Sequence, residues 1–316
     1  MKRKNCLIEP SEISRAAALI RAGKLVAFPT ETVYGLGANA LDAVAVAKIY
    51  SAKGRPADSP LIVHVDSIDM ARSLVRDWPQ QADLLAQRFW PGPLTLVLPK
   101  QPRIPDSVTA GFETVGIRMP ANDIALALIR EAGVPIAAPS ANRFTELSPT
   151  TAQHVRESLG DRVAMVLDGG PTTVGIESTV LSLAGPIALL LRPGMLTKAQ
   201  IEEIIGPIDL AREPIAGAHP SPGMHRRHYS PRTPLLLVSR GQLPSRGRGA
   251  YLWIREFAHA AREIRMPEQA NAYATVIYDT LHKIDAEGYD WVAVEQPPLT
   301  PEWAAIHDRL ERAAAK

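Results

Sequence analysis

One stretch constrains the fold more than any other: residues 53–64, KGRPADSPLIVH. A turn containing Gly54, Pro56 and Pro60 carries two cations, Lys53 and Arg55, and runs into the apolar, β-branched segment Leu61-Ile62-Val63-His64-Val65. That segment reads as a buried strand, so the chain needs a sheet covered on both faces, with fixed positive charge at the strand's mouth. Such charge either faces water, the commonest position for lysine and arginine, or meets an anion, with phosphate as the foremost candidate. One cation beside a phosphate gains about 4 kcal/mol at an effective dielectric of about 20. A triphosphate carries several charges, so a phosphate site would need Lys53 and Arg55 to be joined by Arg118, Arg192 or Mg²⁺. Both arginines end strand-like runs, in GIRMP and LLLRPG.

Along the chain, Ser11 is placed to cap a helix through Ile20, with Gly23 as its stop. Leu25 to Phe28 reads as a strand and Pro29 to Ala38, PTETVYGLGA, as a hydroxyl-rich loop. A helix is predicted from Asp42 to about Ser51, then two short helices between Ser67 and Phe89 broken at Pro79. Strands follow at Leu94–Leu98 and Val115–Met119, a helix at Asp123–Glu131, and a short strand at Pro135–Ala138. Ser148-Pro149-Thr150 reads as the start of a helix to about Leu159. Met165–Leu167 reads as a strand, and Ser178–Leu183 with Ile187–Arg192 as a hairpin around Gly185-Pro186. Strands and helices mix without strict βαβ repeats, which favours an α/β fold with a twisted mixed sheet.

The texture changes at Gly206. Residues 206–233 are rich in Pro, Gly and His and lack periodicity, which reads as a linker too long for an ordinary loop. Beyond it, strands at Leu235–Val238, Tyr251–Ile254 and Trp291–Val294, with helices near 270–283 and 303–314, predict a small Rossmann-like α/β domain. The expected division is 1–205, 206–233 and 234–316, in keeping with about two domains for 316 residues.

The composition, 46% hydrophobic and 22% charged, is that of a soluble globular chain. A net charge of +2 supplies no whole-protein field toward nucleic acid, so any such attraction must be local. A single cysteine, Cys6, excludes an internal disulfide framework and a cysteine-rich zinc site, and suits a cytoplasmic location. No apolar run of about 18 residues predicts a membrane span, and the basic start Met1-Lys2-Arg3-Lys4 is not followed by an apolar leader. That start is a solvated tail or an RNA-binding arm.

Other motifs are weaker alone. Ala138-Pro139-Ser140-Ala141-Asn142 is either a plain turn or a set of small polar groups for phosphate oxygens, with Ser148 adding the positive end of a helix. His64 is either a neutral core histidine or a ligand contact at the strand's end. Gly35-Leu36-Gly37-Ala38-Asn39-Ala40 matches G-x-G-x-x-A, but Thr30 to Tyr34 separate it from the preceding strand, against a dinucleotide fingerprint. No G-x-x-x-x-G-K-[ST] loop is present. His225-Arg226-Arg227-His228 has two intervening arginines and no cysteine partner, which argues against zinc.

Taken in order, KGRP…SPLIVHV, FWPGPLTLVL, VGIRMP, PSAN…SPT, ESTVL, LRPG and SPGMHRRHYSP resemble the threonylcarbamoyl-AMP synthases, YrdC-like enzymes, in their long form with a linker and C-terminal domain. The resemblance implies condensation of L-threonine, bicarbonate and ATP to threonylcarbamoyl-AMP and pyrophosphate, with Mg²⁺ carried on the ATP phosphates. Transfer proteins would then pass the threonylcarbamoyl group to tRNA. It implies that Lys53, Arg55, Ser59, Thr114, Ser140, Asn142, Ser148, Arg192 and Tyr229 hold ATP. Thr32, His64, Arg118, Ala138 and Ser178 would surround threonine, Arg118 meeting its carboxylate. The linker around Pro222 to Pro231 is expected to act as a lid. Two departures stand out: Ser59 replaces a usual asparagine, and Phe144-Thr145 stands where the family often has Ser-Gly. The alternatives are a carbamoyltransferase working through carbamoyl-AMP, and a non-catalytic RNA-binding module.

Overall fold

The computed structural model describes residues 9–211, 228–239 and 242–315. Its larger sheet contains β1 (Val26–Phe28), β2 (Gly35–Asn39), β3 (Ile62–His64), β4 (Leu94–Pro99), β5 (Thr114–Arg118), β6 (Ile136–Ala137), β7 (Met165–Val166), β8 (Thr179–Ser182), β9 (Leu189–Arg192) and β10 (Asp209–Leu210). Their spatial order is β10-β9-β8-β4-β5-β3-β6-β2-β1-β7. The pairing is mixed: β3 lies parallel to β5 and antiparallel to β6. A second sheet, β11 (Leu235–Val238), β12 (Gly249–Trp253), β13 (Arg262–Arg265) and β14 (Trp291–Glu295), is parallel throughout, in the order β11-β14-β12-β13. The chain is thus α/β, a mixed sheet followed by a small parallel one.

Helices cover both faces of the larger sheet. On one side α1 (Pro10–Arg21) packs on α6 (Asp123–Ala132), burying Ala16, Ala17 and Ile20 with Leu128 and Ile129. On the other lie α2 (Ala43–Lys53), α3 (Ile68–Ser73), α4 (Gln80–Phe89), α5 (Asp106–Thr109), α7 (Ala152–Leu159) and α8 (Lys198–Ile205), contributing Val46, Ile49, Leu85 and Val155 to the main core. In the small unit, α9 (Ala270–Glu287) and α10 (Ala304–Ala314) supply Tyr273, Ile277, Ile306 and Leu310.

Several expectations need correction. Residues 35–39 are strand β2 rather than loop, because antiparallel pairing with β1 and β6 satisfies their backbone. The first helix begins with Pro10 at its first position, so Ser11 lies inside the first turn and caps nothing. Thr151, whose hydroxyl accepts from His154 N, caps α7, so Ser148 precedes the helix instead of starting it. Within the segment read as linker, Asp209 and Leu210 form β10 beside β9. Both α8 and β13 escaped the sequence reading; three of the four residues of β13, REIR, are charged, and it sits at a sheet edge. Most of the expected lid, residues 212–227, lies outside the described residues, as do Cys6 and the basic start.

The two units share a core. Val33, Leu147 and Ile176 of the first pack in the same cluster as Tyr273, Ile277 and Leu310 of the second. A Cβ on Gly175 would come 2.2 Å from the Ala274 carbonyl oxygen, and Gly175 has φ +86°, so both the close approach to α9 and the backbone shape require glycine. The G-x-G pair has a packing role as well: a Cβ on Gly37 would meet Ile136 Cγ2 and Phe28 Cε1 at 2.8 Å. We expect Gly37→Ala to destabilise the chain by about 1–3 kcal/mol through overpacking, measured by denaturant unfolding. An unchanged midpoint would show that Phe28 and Ile136 can move aside.

Candidate active site

A cavity opens where β3 and β5 end. Its wall takes His64 from β3, Arg118 from β5, Thr30, Thr32, Val33 and Gly35 from the segment entering β2, and Ala138 to Ser140 from the segment leaving β6. Glu177, Ser178 and Arg192 come from the β8–β9 side, Arg55 from the turn after α2, and His228 and Tyr229 from the chain entering the small unit. Strand alternation and register explain part of this: Ile62 and His64 face one way and pair with Gly116 and Arg118 of β5.

The sequence-nominated residues divide. Arg55, Ser140, Arg192, Tyr229, Thr32, His64, Arg118, Ala138 and Ser178 line the cavity. Lys53, Ser59, Asn142, Ser148 and Thr114 are not among its lining residues. Lys53 ends α2, where Gly54 turns the chain with φ +61°. Its ammonium donates to the Ser140 carbonyl at 2.5 Å and to the carbonyl of Asn142. Asn142 uses its own amide inside the loop, donating to the carbonyls of Arg143 and Glu146 at 2.9 and 2.8 Å. Lys53 and Asn142 therefore shape the 138–142 loop from behind. Ser148 donates to Glu177 at 2.5 Å. Ser59 is buried, its carbonyl accepting from Tyr50 Oη. Thr114 opens β5 opposite Pro99, four residues and about 13 Å from Arg118 at the usual rise per residue.

Three arginines at the wall are buried, and each is held by acceptors. Arg118 donates to the Gly92 carbonyl, and its Nη2 lies 2.7 Å from Glu31 Oε2, close enough for an ion pair. Arg192 donates from Nε and Nη2 to the Ser178 carbonyl at 3.1 and 3.0 Å, and from Nη2 to Ser178 Oγ at 3.2 Å. Ser178 Oγ in turn shares a 2.8 Å hydrogen bond with Thr95. Arg55 donates to the Pro60 carbonyl and lies over the Phe144 ring at 5.8 Å. Burial pushes Arg55 down to about 10 and lowers Arg192 as well, yet both remain cations at neutral pH. Thr30 and Thr32 share a 2.8 Å hydroxyl contact. The wall also uses Thr30, Val33, Glu177 and His228, which the sequence reading had not nominated. The T-x-T spacing was the available signal for Thr30. At the Phe144-Thr145 departure, Thr145 adopts φ +69°, the left-handed region a glycine enters freely, so the turn survives without its glycine.

Burial, reinforced by Arg118, pushes His64 down to about 3, so it is neutral at the wall. His154 and His282 stack at 3.8 Å where the two units meet, and burial lowers both, His154 to about 4. A histidine whose folded value lies below its unfolded value favours unfolding once protons are available. Stability is therefore complete above about pH 6.5 and is lost as pH falls toward the folded values, by up to about 1.4 kcal/mol per pH unit per group. We expect the melting temperature to drop between pH 6.5 and 5, and His154→Gln to make that drop shallower. A flat profile in the unaltered chain would contradict neutral burial of these rings.

No helix among the described residues is long and apolar enough to cross a membrane, and no group of three or more His, Cys, Asp or Glu among them is placed to hold a metal. Known proteins place this architecture. The family model described as "Telomere recombination", covering Sua5, YciO and YrdC proteins, matches residues 18–194, and that of the threonylcarbamoyl-AMP synthase C-terminal domain matches 196–315. A threonylcarbamoyl-AMP synthase of Bacillus subtilis is 46% identical over 96% of this chain and 93% of its own length. P. abyssi Sua5 crystallised with L-threonine superimposes with a TM-score of 0.90 at 39% identity, over 98% of this chain and 95% of that one. A doubly substituted form of the same protein gives 0.93 with the same identity and coverage. The chain belongs to the threonylcarbamoyl-AMP synthase family, nucleotidyltransferases with a YrdC-type domain followed by the synthase C-terminal domain.

Proposed function

We propose that the cavity between Arg55, Arg118 and Arg192 condenses L-threonine, bicarbonate and ATP to threonylcarbamoyl-AMP and pyrophosphate. The observation that carries this reading is the convergence of three buried guanidiniums with neutral His64 and the hydroxyls of Thr32 and Ser178 on one cavity. Arg118, already beside a carboxylate, suits the carboxylate of threonine; Thr32, His64, Ala138 and Ser178 surround the rest of that molecule. Arg55, Ser140, Arg192 and Tyr229 take the nucleotide. Threonine's free amine and bicarbonate give the carbamate and water. A carbamate oxygen attacks the α-phosphorus, and pyrophosphate leaves.

No covalent enzyme intermediate is required. Fixed cations reduce the repulsion between carbamate and phosphates, and holding the reactants together removes an entropic barrier. Lys53, Asn142, Ser59 and Ser148 serve this site as supports of its loops, and Thr114 lies at the far end of β5. Glu177 and Glu31 are already matched by Arg309 and Arg118, so Mg²⁺ arrives on the ATP phosphates. Of the segment between the two units, Tyr229 is buried in the cavity wall and meets the nucleotide there. The product is passed in the cytoplasm to the proteins that modify tRNA.

Pyrophosphate release from ATP should require both threonine and bicarbonate. Release indifferent to threonine would sink the reading. Arg118→Lys should raise the KM for threonine by about 10–100-fold, the equivalent of one charged hydrogen bond, while the KM for ATP changes little.

A further inference from the structure

The small unit does more than cover hydrophobic surface. Arg309, on α10, is only 2% exposed and reaches the rear of the cavity wall. Its Nε donates to Glu177 Oε2 at 2.8 Å, its Nη2 to the Pro193 carbonyl at 3.1 Å, and its Nη1 to Asp308. Its guanidinium carbon also sits 5.1 Å from the centre of the Tyr229 ring. These partners flank the nucleotide side of the cavity. Glu177 precedes Ser178, the residue that orients Arg192, and Pro193 follows Arg192. One guanidinium therefore pins both ends of the Ser178–Arg192 pair.

Tyr229 adds a second, independent observation. It is buried at φ +59°, a conformation a tyrosine keeps only when its surroundings impose it. Arg309 on one side and Tyr278, stacked at 6.0 Å, on the other impose it here. Tyr229 lines the cavity, yet its buried hydroxyl has no hydrogen-bond partner among the described residues, which leaves it ready for a ligand. Glu177 is held from three sides, by Ser148, Tyr278 and Arg309. Burial pushes its carboxyl up, but Arg309 and Arg192 outweigh burial and keep it ionised.

We propose that Arg309 is a positioning residue for ATP, supplied by the small unit: through Glu177, the Pro193 carbonyl and the Tyr229 ring, it sets the orientation of Arg192, held by the Ser178 carbonyl, and of Tyr229 around the nucleotide. This rests on the synthase reading above. A planar fork with several donors serves these divergent partners, and a lysine ammonium on its flexible stem does not reproduce that geometry. Removing one member of a buried ion pair strands the other, whereas neutralising both is milder.

The test uses the full chain, with pyrophosphate release measured while ATP and threonine are varied separately, and binding of a non-hydrolysable ATP analogue measured by calorimetry. Arg309→Lys is expected to raise the KM for ATP, and weaken the analogue, by about tenfold, leaving the KM for threonine within about twofold. Arg309→Met is expected to lose more, and Glu177→Gln added to it to recover part of that loss. Folded variants with both KM values unchanged, and rates lowered only in proportion to the folded fraction, would overturn the proposal; if Arg309→Met does not fold, Arg309→Lys decides. An unaltered chain lacking threonine-dependent release would sink the synthase reading instead, and analogue affinity in Arg309→Lys would still decide the role of Arg309.

Discussion

Three buried guanidiniums around one cavity repel one another and resist leaving water, and the rest of the site is arranged to make that tolerable. Each is stabilised by oxygen atoms fixed in advance: the Pro60 carbonyl for Arg55, the Gly92 carbonyl and Glu31 for Arg118, the Ser178 carbonyl and hydroxyl for Arg192. The lowered proton affinity of Arg55 and Arg192 records the remaining strain of burial. An arriving anion relieves it. Because most of these acceptors are backbone carbonyls on strand ends and tight loops, and the two side chains among them, Glu31 and Ser178, are buried, the positive potential is present before substrate arrives, and little reorganisation is needed when charge develops on the phosphates.

The strands were readable wherever burial imposed a simple pattern. Ile62 to His64, Leu94 to Leu98 and the hairpin around Gly185-Pro186 all follow from β-branched or apolar runs bounded by turn residues. Strand β2 was not readable. GLGAN has neither alternation nor bulk, and it becomes a strand because β1 and β6 on either side leave room only for glycine at position 37. Tertiary pairing overrode local preference there. The same holds for the cap of α7: Ser148, Thr150 and Thr151 are all plausible caps by chemistry, and only the chain's path selects Thr151.

At the site, charge and strand-end position in the sequence identified Arg55, Arg118 and Arg192, all of which reach the cavity. They could not separate Lys53 from Arg55. The two are only two residues apart, but Gly54 ends the helix between them with a left-handed turn. Lys53 then looks back at the 140–142 carbonyls while Arg55 looks forward into the cavity. Asn142 and Ser148 likewise make contacts within the wall, Asn142 to the carbonyls of Arg143 and Glu146 and Ser148 to Glu177. Sequence conveys which groups can serve an anion; which of them stand in front and which behind is set by backbone turns of a single residue.

Glu177 shows why the small unit resists being treated as an appendage. In the sequence it is one acid before a serine, with no hint of a partner; the partner, Arg309, lies 132 residues away and in the other sheet's unit. A buried carboxylate left without its cation costs several kcal/mol, so this contact binds the stability of the wall to the presence of α10. Val33, Leu147 and Ile176, which belong to the larger unit by sequence, also bury their side chains in the smaller unit's core. The apolar contact supplies the energy of association and the ion pair supplies its direction, since only one placement of α10 brings the fork of Arg309 onto Glu177 and the Pro193 carbonyl together. The geometry of the cavity and the docking of the second unit are therefore one structural fact rather than two.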